Sequence, residues 1–206
     1  MPYLLRVALP DVPGSLGRVA TAIGEAGGDI DAIEIIEHGA DGVAVDDVLL
    51  ETLPGVMPDS LVSACNALEG VEVIWISRYA AGGNLFLDLE AVEALTGRPA
   101  EAVERLVELM PVTFRVDWAA WVRRHGDRGE VIRATEAAPS EIAWSPLPRA
   151  DRLPSPPDDE VTLRCGAPLG DEDVVVMGRR GGPDFLDSEL ARLGHLVGLA
   201  ASIAKG

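Results

Sequence analysis

The chain has 206 residues, a formal net charge of −17 and 48% hydrophobic residues; that apolar content suffices for packed cores, and a surface of this sign repels phosphate backbones, which excludes nucleic acid as a partner. Cys65 and Cys165 are far apart with no CxxC spacing, which excludes a disulfide framework and a thiolate metal site. The N-terminus lacks a basic region leading into a long apolar core, and no apolar run is long enough to cross a bilayer, so we expect a cytoplasmic protein with no membrane partner.

Tyr3 to Leu9 is a nearly continuous apolar run, the pattern of a strand inside a sheet. Asp11-Val12-Pro13-Gly14-Ser15-Leu16 follows it. Pro13 fixes φ and Gly14 permits φ > 0, which predicts a sharp strand-to-helix turn. Leu16, Val19, Ala20 and Ile23 mark one face of a helix over 15–26. Asp11 or Ser15 can cap it, and Gly27-Gly28 ends it. Such a helix N-terminus presents backbone N–H groups to a carboxylate or phosphate.

Asp29 to Glu37 is crowded with isoleucine and predicts a strand. His38 to Gly42 predicts a turn, with His38 solvated beside it. Val43 to Thr52 is the return strand, interrupted by Asp46-Asp47. Adjacent acids point to opposite faces, so one faces the helix-covered side unless a bulge intervenes. A bulge or an early sheet edge is the simpler reading; the functional one aims a carboxylate at a ligand ammonium or a partner subunit. Leu61, Cys65 and Leu68 stripe a second helix that Gly70 ends, with Cys65 as a small core residue. Val71 to Tyr79 is a fourth strand.

The turn motif Asp11 to Leu16, its helix, Gly27-Gly28-Asp29-Ile30 and the isoleucine-rich strand together resemble an ACT domain over residues 2–80. The resemblance implies a small ferredoxin-like βαββαβ module that binds amino acids and pairs with a second copy. By that likeness Asp11, Val12, Pro13, Gly14, Ser15 and Leu16 form one wall of the ligand site, and Gly28, Asp29 and Ile30 contribute from the neighbour. An amino acid offers a carboxylate to the turn N–H groups and an ammonium to Asp11 or Asp29.

Ala80 to Asn84 is small and flexible in composition, which places the domain boundary there, with domains at 1–80 and 85–206. Leu89, Val92 and Leu95 predict a short helix broken at Gly97-Arg98-Pro99. Val103, Leu106, Val107 and Met110 predict a second, stopped by Pro111. Val112, Phe114, Val116, Trp118, Ala120 and Val122 then alternate with polar residues, which predicts one long half-buried strand. His125 to Gly129 turns it into a strand over 130–137. Residues 138–160 hold six prolines, so this stretch reads as a long surface loop or lid that does not pair along a sheet. Val161 to Cys165 and Asp173 to Met177 predict two more strands, Gly178 to Phe185 a turn, and Leu190, Leu193, Val197, Ala200 and Ala204 a closing helix.

The order of strand, Gly-Arg, Gly-Pro turn, Phe, acid and apolar helix over 174–204 resembles the end of a GAF domain, with a looser likeness from residue 85. That implies an α+β sensor fold with a central antiparallel sheet. No nucleophile turn, phosphate loop, HExxH or dinucleotide fingerprint is found. The three histidines have no metal spacing. Cys165 lacks a resolving partner in its domain. The sequence therefore leads us to expect a non-enzymatic regulatory homodimer that senses an amino acid or related metabolite, without cofactor or metal. A detached regulatory subunit of a metabolic enzyme, an enzyme using the GAF-like domain, and a ligand-free dimerisation scaffold are the alternatives.

Overall fold

The computed structural model describes residues 2–39, 42–78, 84–126, 128–156, 159 and 161–206. The chain divides into two compact units, Met1–Gly83 and Asn84–Gly206. The expected linker residues Ala80 to Gly83, the tip of the first turn at Ala40-Asp41, and Tyr79 lie outside the described residues.

The first unit contains β1 (Pro2–Pro10), α1 (Ser15–Glu25), β2 (Gly28–His38), β3 (Val43–Thr52), α2 (Pro58–Asn66) and β4 (Glu72–Arg78). This is the ferredoxin-like βαββαβ order expected. The sheet runs β2-β3-β1-β4 with every pairing antiparallel. Side chains alternate across the pleat, so Leu5, Val7, Leu9, Val48 and Leu50 share one face and pack with Val19 and Ile23 of α1 and Leu61 and Cys65 of α2. On the opposite face Arg6 and its cross-strand partner Asp47 form a buried two-pronged ion pair, Nε to Oδ1 at 2.7 Å and Nη2 to Oδ2 at 2.9 Å.

Asp46-Asp47 is thus neither an edge nor a bulge in its own strand. β3 is an inner strand, and its register with β1 is unbroken from Val43 to Glu51. The irregularities of the β2–β3 pairing fall instead in β2, between Ile30 and Ala32 and between Ile35 and Glu37. The two acids do point to opposite faces. Asp47 finds a guanidinium; Asp46 shares the helix-covered face with Val7 and Val48.

The second unit contains α3 (Asn84–Gly97), α4 (Ala102–Thr113), β5 (Trp118–His125), β6 (Arg128–Ala134), β7 (Asp151–Leu153), β8 (Thr162–Pro168), β9 (Asp173–Arg180) and α5 (Asp187–Lys205). Its antiparallel sheet runs β6-β5-β9-β8-β7. One face, through Ala119, Cys165, Ala167, Val175 and Met177, packs on the apolar sides of α4 and α5. The chain is α+β throughout, as expected.

Four sequence expectations fail here. The long alternating strand does not exist as such: α4 continues through Pro111 to Thr113, and the strand begins only at Trp118. Proline costs the helix one hydrogen bond. Burial of Thr113 and Phe114, with Phe114 N–H donating to Met110 O at 2.8 Å, holds the last turn. Arg115 ends it at φ 52. Nor is β5 half-buried. Trp118, Ala120 and Val122 face one core while Ala119 faces the other.

The proline-rich segment does pair: Asp151–Leu153, its proline-free stretch, joins β8. The rest of it runs as irregular chain along the surface, as expected, but it is anchored from within. Ile142, Trp144, Leu147 and Leu153 pack as a strap against Trp118, Ala120, Val122, Val174 and Val176. Finally β9 runs on to Arg180, because Gly178 pairs with Trp118 on β5, and Gly178, Arg179 and Arg180 pair with Arg164, Leu163 and Thr162 on β8, so the turn starts at Gly181.

Candidate functional site

The β1–α1 turn has the shape its sequence dictates. Gly14 sits at φ 91, a left-handed conformation that side-chain-bearing residues avoid, and directly precedes α1. Asp11 N–H donates to Gly42 O at 2.8 Å and Ser15 N–H to Val12 O at 3.2 Å, which folds the turn tightly onto the sheet end. The expected side-chain cap is not made: no side chain caps α1. Ser15 is the first helical residue rather than the cap. Asp11 turns instead to His38, whose Nδ1 lies 2.8 Å from Asp11 Oδ2. The first intrahelical acceptor, Gly14 O, is taken by Arg18 N–H. The N–H groups of Leu16 and Gly17 precede it and have no acceptor within the helix. The end of α1 therefore offers partial positive charge beside a carboxylate.

Within one chain the structure unites Asp11, Val12, Pro13, Gly14, Ser15 and Leu16 at this end. It does not bring Gly28, Asp29 and Ile30 to them. Those residues pair with Thr52, Glu51 and Leu50, at the end of the sheet where Pro2 begins β1. Asp11 follows Pro10, which pairs with Val43 at the other end. The two groups are about eight strand positions, roughly 27 Å, apart. Asp29 is exposed where it stands.

Beneath the turn is a group that the motif did not include. Asp46 is 2% exposed, and its Oδ1 has no hydrogen-bond partner among the described residues. The same holds for Ser15 Oγ, on a residue also 2% exposed. Burial pushes the Asp46 carboxyl above the ordinary carboxylate range; His38 pulls it back, and Asp11 and Asp47 push it further up. The signal in the sequence was an acid at an interior position of an apolar strand.

The sign of the stability effect follows. A carboxyl whose folded-state value is raised favours folding below the unfolded value, and that contribution is lost as pH rises through the folded value. Asp46→Asn removes the titration while keeping the shape. We expect it to raise stability by about 1 kcal/mol at pH 8, with the difference closing below about pH 4. Urea denaturation of both proteins at the two pH values checks this. A difference that does not change with pH contradicts the assignment.

In the second unit, a groove of about 1180 Å³ borders the strap, with Val131, Ile142, Pro154 and Arg164 on its walls. The Cys165 thiol is buried and pushed far above its ordinary value, so it stays protonated and unreactive. Among the described residues no group of three or more His, Cys, Asp or Glu is arranged to hold a metal ion. No helix among them is long and apolar enough to cross a membrane.

Residues 3–56 match the ACT domain family. No curated protein matches the chain. Among solved structures, the free methionine-R-sulfoxide reductase from Neisseria meningitidis, in complex with its substrate, is similar over 62% of this chain and 94% of its own, with 11% identity and a TM-score of 0.47. The GAF domain of a phosphoenolpyruvate-protein phosphotransferase from Acinetobacter is similar over 60% of this chain and 95% of its own, with 11% identity and a TM-score of 0.44. A GAF domain/HD domain protein from Geobacter sulfurreducens is similar over 55% and 95%, with 19% identity and a TM-score of 0.42.

Proposed function

We propose that this chain is a non-enzymatic regulatory protein that senses an amino acid through its first unit. The observation behind the reading is the uncapped N-terminus of α1 on the same turn as the Asp11 carboxylate, which contacts His38. An amino acid has the complementary pair of charges. Its carboxylate goes to the free N–H groups of Leu16 and Gly17, where the helix dipole adds to the attraction. Its ammonium goes to Asp11, displacing His38. The ACT match over 3–56 supports the choice of a small-molecule ligand.

The distance between the turn and Gly28–Ile30 shapes the assembly. A site using both needs a second copy, so the proposed form is a cytoplasmic homodimer in which Gly28, Asp29 and Ile30 of one protomer close over the turn of the other. The second unit passes the signal on, to a metabolic enzyme or another target.

Calorimetric titration with the twenty amino acids, on the full chain and on Asp11→Ala, tests this. At least one amino acid should bind, and the variant should bind it about ten-fold or more weakly, the loss expected of one charged hydrogen bond. Absence of binding by every amino acid defeats the reading. Equal affinities remove Asp11 from the site.

A further inference from the structure

A second cavity of the second unit lies between α5 and residues 149–152, the stretch that enters β7. Its volume is about 450 Å³, within the range of small-molecule sites. Ala150 on its wall packs with the core under the helices, whereas Ile142 on the wall of the strap groove belongs to the core of the opposite sheet face. The two cavities are therefore separate.

Asp187, Leu190, Ala191, Gly194 and His195 line the cavity from α5. Their spacing, from i to i+8 through i+3, i+4 and i+7, is that of one helix face. Residues 149–152 run antiparallel to that face. Arg152 Nη1 donates to Asp187 Oδ1 at 2.8 Å, and Ala150 lies over Gly194, where an added Cβ would meet the Ala150 Cβ at 3.5 Å. From Asp187 to Gly194 the helix rises about 10 Å. The cavity is thus a trough with Leu190 and Ala191 along its middle. Arg152 and Asp187 stand at one end. Arg149 and His195, the sequence neighbours of Ala150 and Gly194, stand at the other.

The two ends differ in their charge balance. Arg152 is neutralised by Asp187 and also donates to Phe185 O. Arg149 and His195 have no hydrogen-bond or ion-pair partner among the described residues. An unmatched guanidinium is notable in a chain of net charge −17, where Arg6, Arg123, Arg133, Arg179 and Arg192 each hold a carboxylate. Asp151 also borders the cavity, but it accepts the Arg152 N–H at 2.8 Å and makes no ion pair with Arg149.

We propose that this trough binds a small aliphatic oxyanion, a carboxylate or a phosphate monoester, with its head between Arg149 and His195 and its chain along Leu190 and Ala191. The guanidinium offers a planar fork of N–H donors and the imidazole one more, which matches a head that carries only acceptors. The apolar middle favours a hydrocarbon chain over a bare anion, by about four-fold for each methylene it buries. The site shares no residue with the β1–α1 turn. It is a second ligand site, and its test stands apart from amino-acid binding.

The test follows the histidine ring resonances of the full-length protein by NMR, with His195 assigned by its loss in His195→Gln. Butyl phosphate, butyrate and inorganic phosphate are titrated in turn, against sodium chloride of equal ionic strength. Butyl phosphate or butyrate should shift His195 saturably and leave His125, at the end of β5, in place; the tighter of the two identifies the head. Inorganic phosphate should bind about ten-fold or more weakly than butyl phosphate, since it has no chain. Arg149→Gln should weaken binding about ten-fold or more, the loss expected of a charge-assisted hydrogen bond. Ala191→Phe should block the trough without changing its charge. Residues 149 and 191 are exposed, so both variants should unfold close to wild type. Shifts that rise linearly with concentration, that chloride reproduces, or that persist in both variants overturn the proposal. Inorganic phosphate binding as tightly as butyl phosphate overturns the place given to the chain.

Discussion

Glu189→Ala should lower the stability of the second unit by about 3–5 kcal/mol, the loss typical of breaking a buried ion pair. Arg179 is nearly buried, with 4% of its side chain exposed. Its Nη2 donates to Glu189 Oε1 at 2.8 Å and to Phe114 O at 3.0 Å, and Nη1 donates to Pro183 O at 3.1 Å. Its guanidinium lies 4.3 Å from the centroid of the Phe185 ring. One cation thereby joins the end of α4, the turn after β9 and the start of α5. Glu189 also accepts the Leu186 N–H at 2.9 Å through its other oxygen, which secures the first turn of α5. Alanine removes the counter-charge and this cap together. Glu189→Gln keeps an acceptor and the shape, so its loss should fall between wild type and alanine. Urea denaturation followed by tryptophan emission reads the effect, since Trp118, Trp121 and Trp144 all lie in the second unit. An unchanged midpoint for Glu189→Ala contradicts the role given to the pair.

The first unit was legible in the sequence because its local signals agree with its tertiary contacts. The Pro13-Gly14 turn, the spacing of Val19 and Ile23, and the glycine at 27 each predict the element that forms. The second unit was less legible where tertiary packing overrode local chemistry. Alternation from Val112 to Val122 suited a strand, yet its first residues close a helix whose buried face outweighs Pro111. Proline density in 138–160 suggested solvent, yet a strap needs few backbone bonds if Ile142, Trp144 and Leu147 bury against a sheet. At the site, the motif gave the turn but not its floor. Asp46 looked like one half of an acidic pair. Only the register showed that Asp47 meets Arg6, while Asp46 turns to the apolar layer.

Gly178→Val should destabilise the second unit by about 3 kcal/mol or more, at the upper end for overpacking. Gly178 stands directly opposite Trp118 in the β5–β9 pairing. Cross-strand partners share a face, and the indole lies flat over the glycine. A Cβ at residue 178 would sit 2.3 Å from Trp118 Cε2 and 2.4 Å from its Nε1. The ring has nowhere close to go. It is 5% exposed and packed among Ala120, Val176 and the strap. Displacing it lifts the strap from the sheet and exposes the second core. Gly178 sits on the same strand as Arg179, which points to the other face, so the variant leaves that ion pair alone. The two substitutions therefore probe opposite faces of one sheet. Thermal denaturation and limited proteolysis separate them: Gly178→Val should expose cleavage sites within 138–156, and Glu189→Ala should favour cleavage near the start of α5. Protection of the strap equal to wild type in Gly178→Val would mean that Trp118 is not what holds it down.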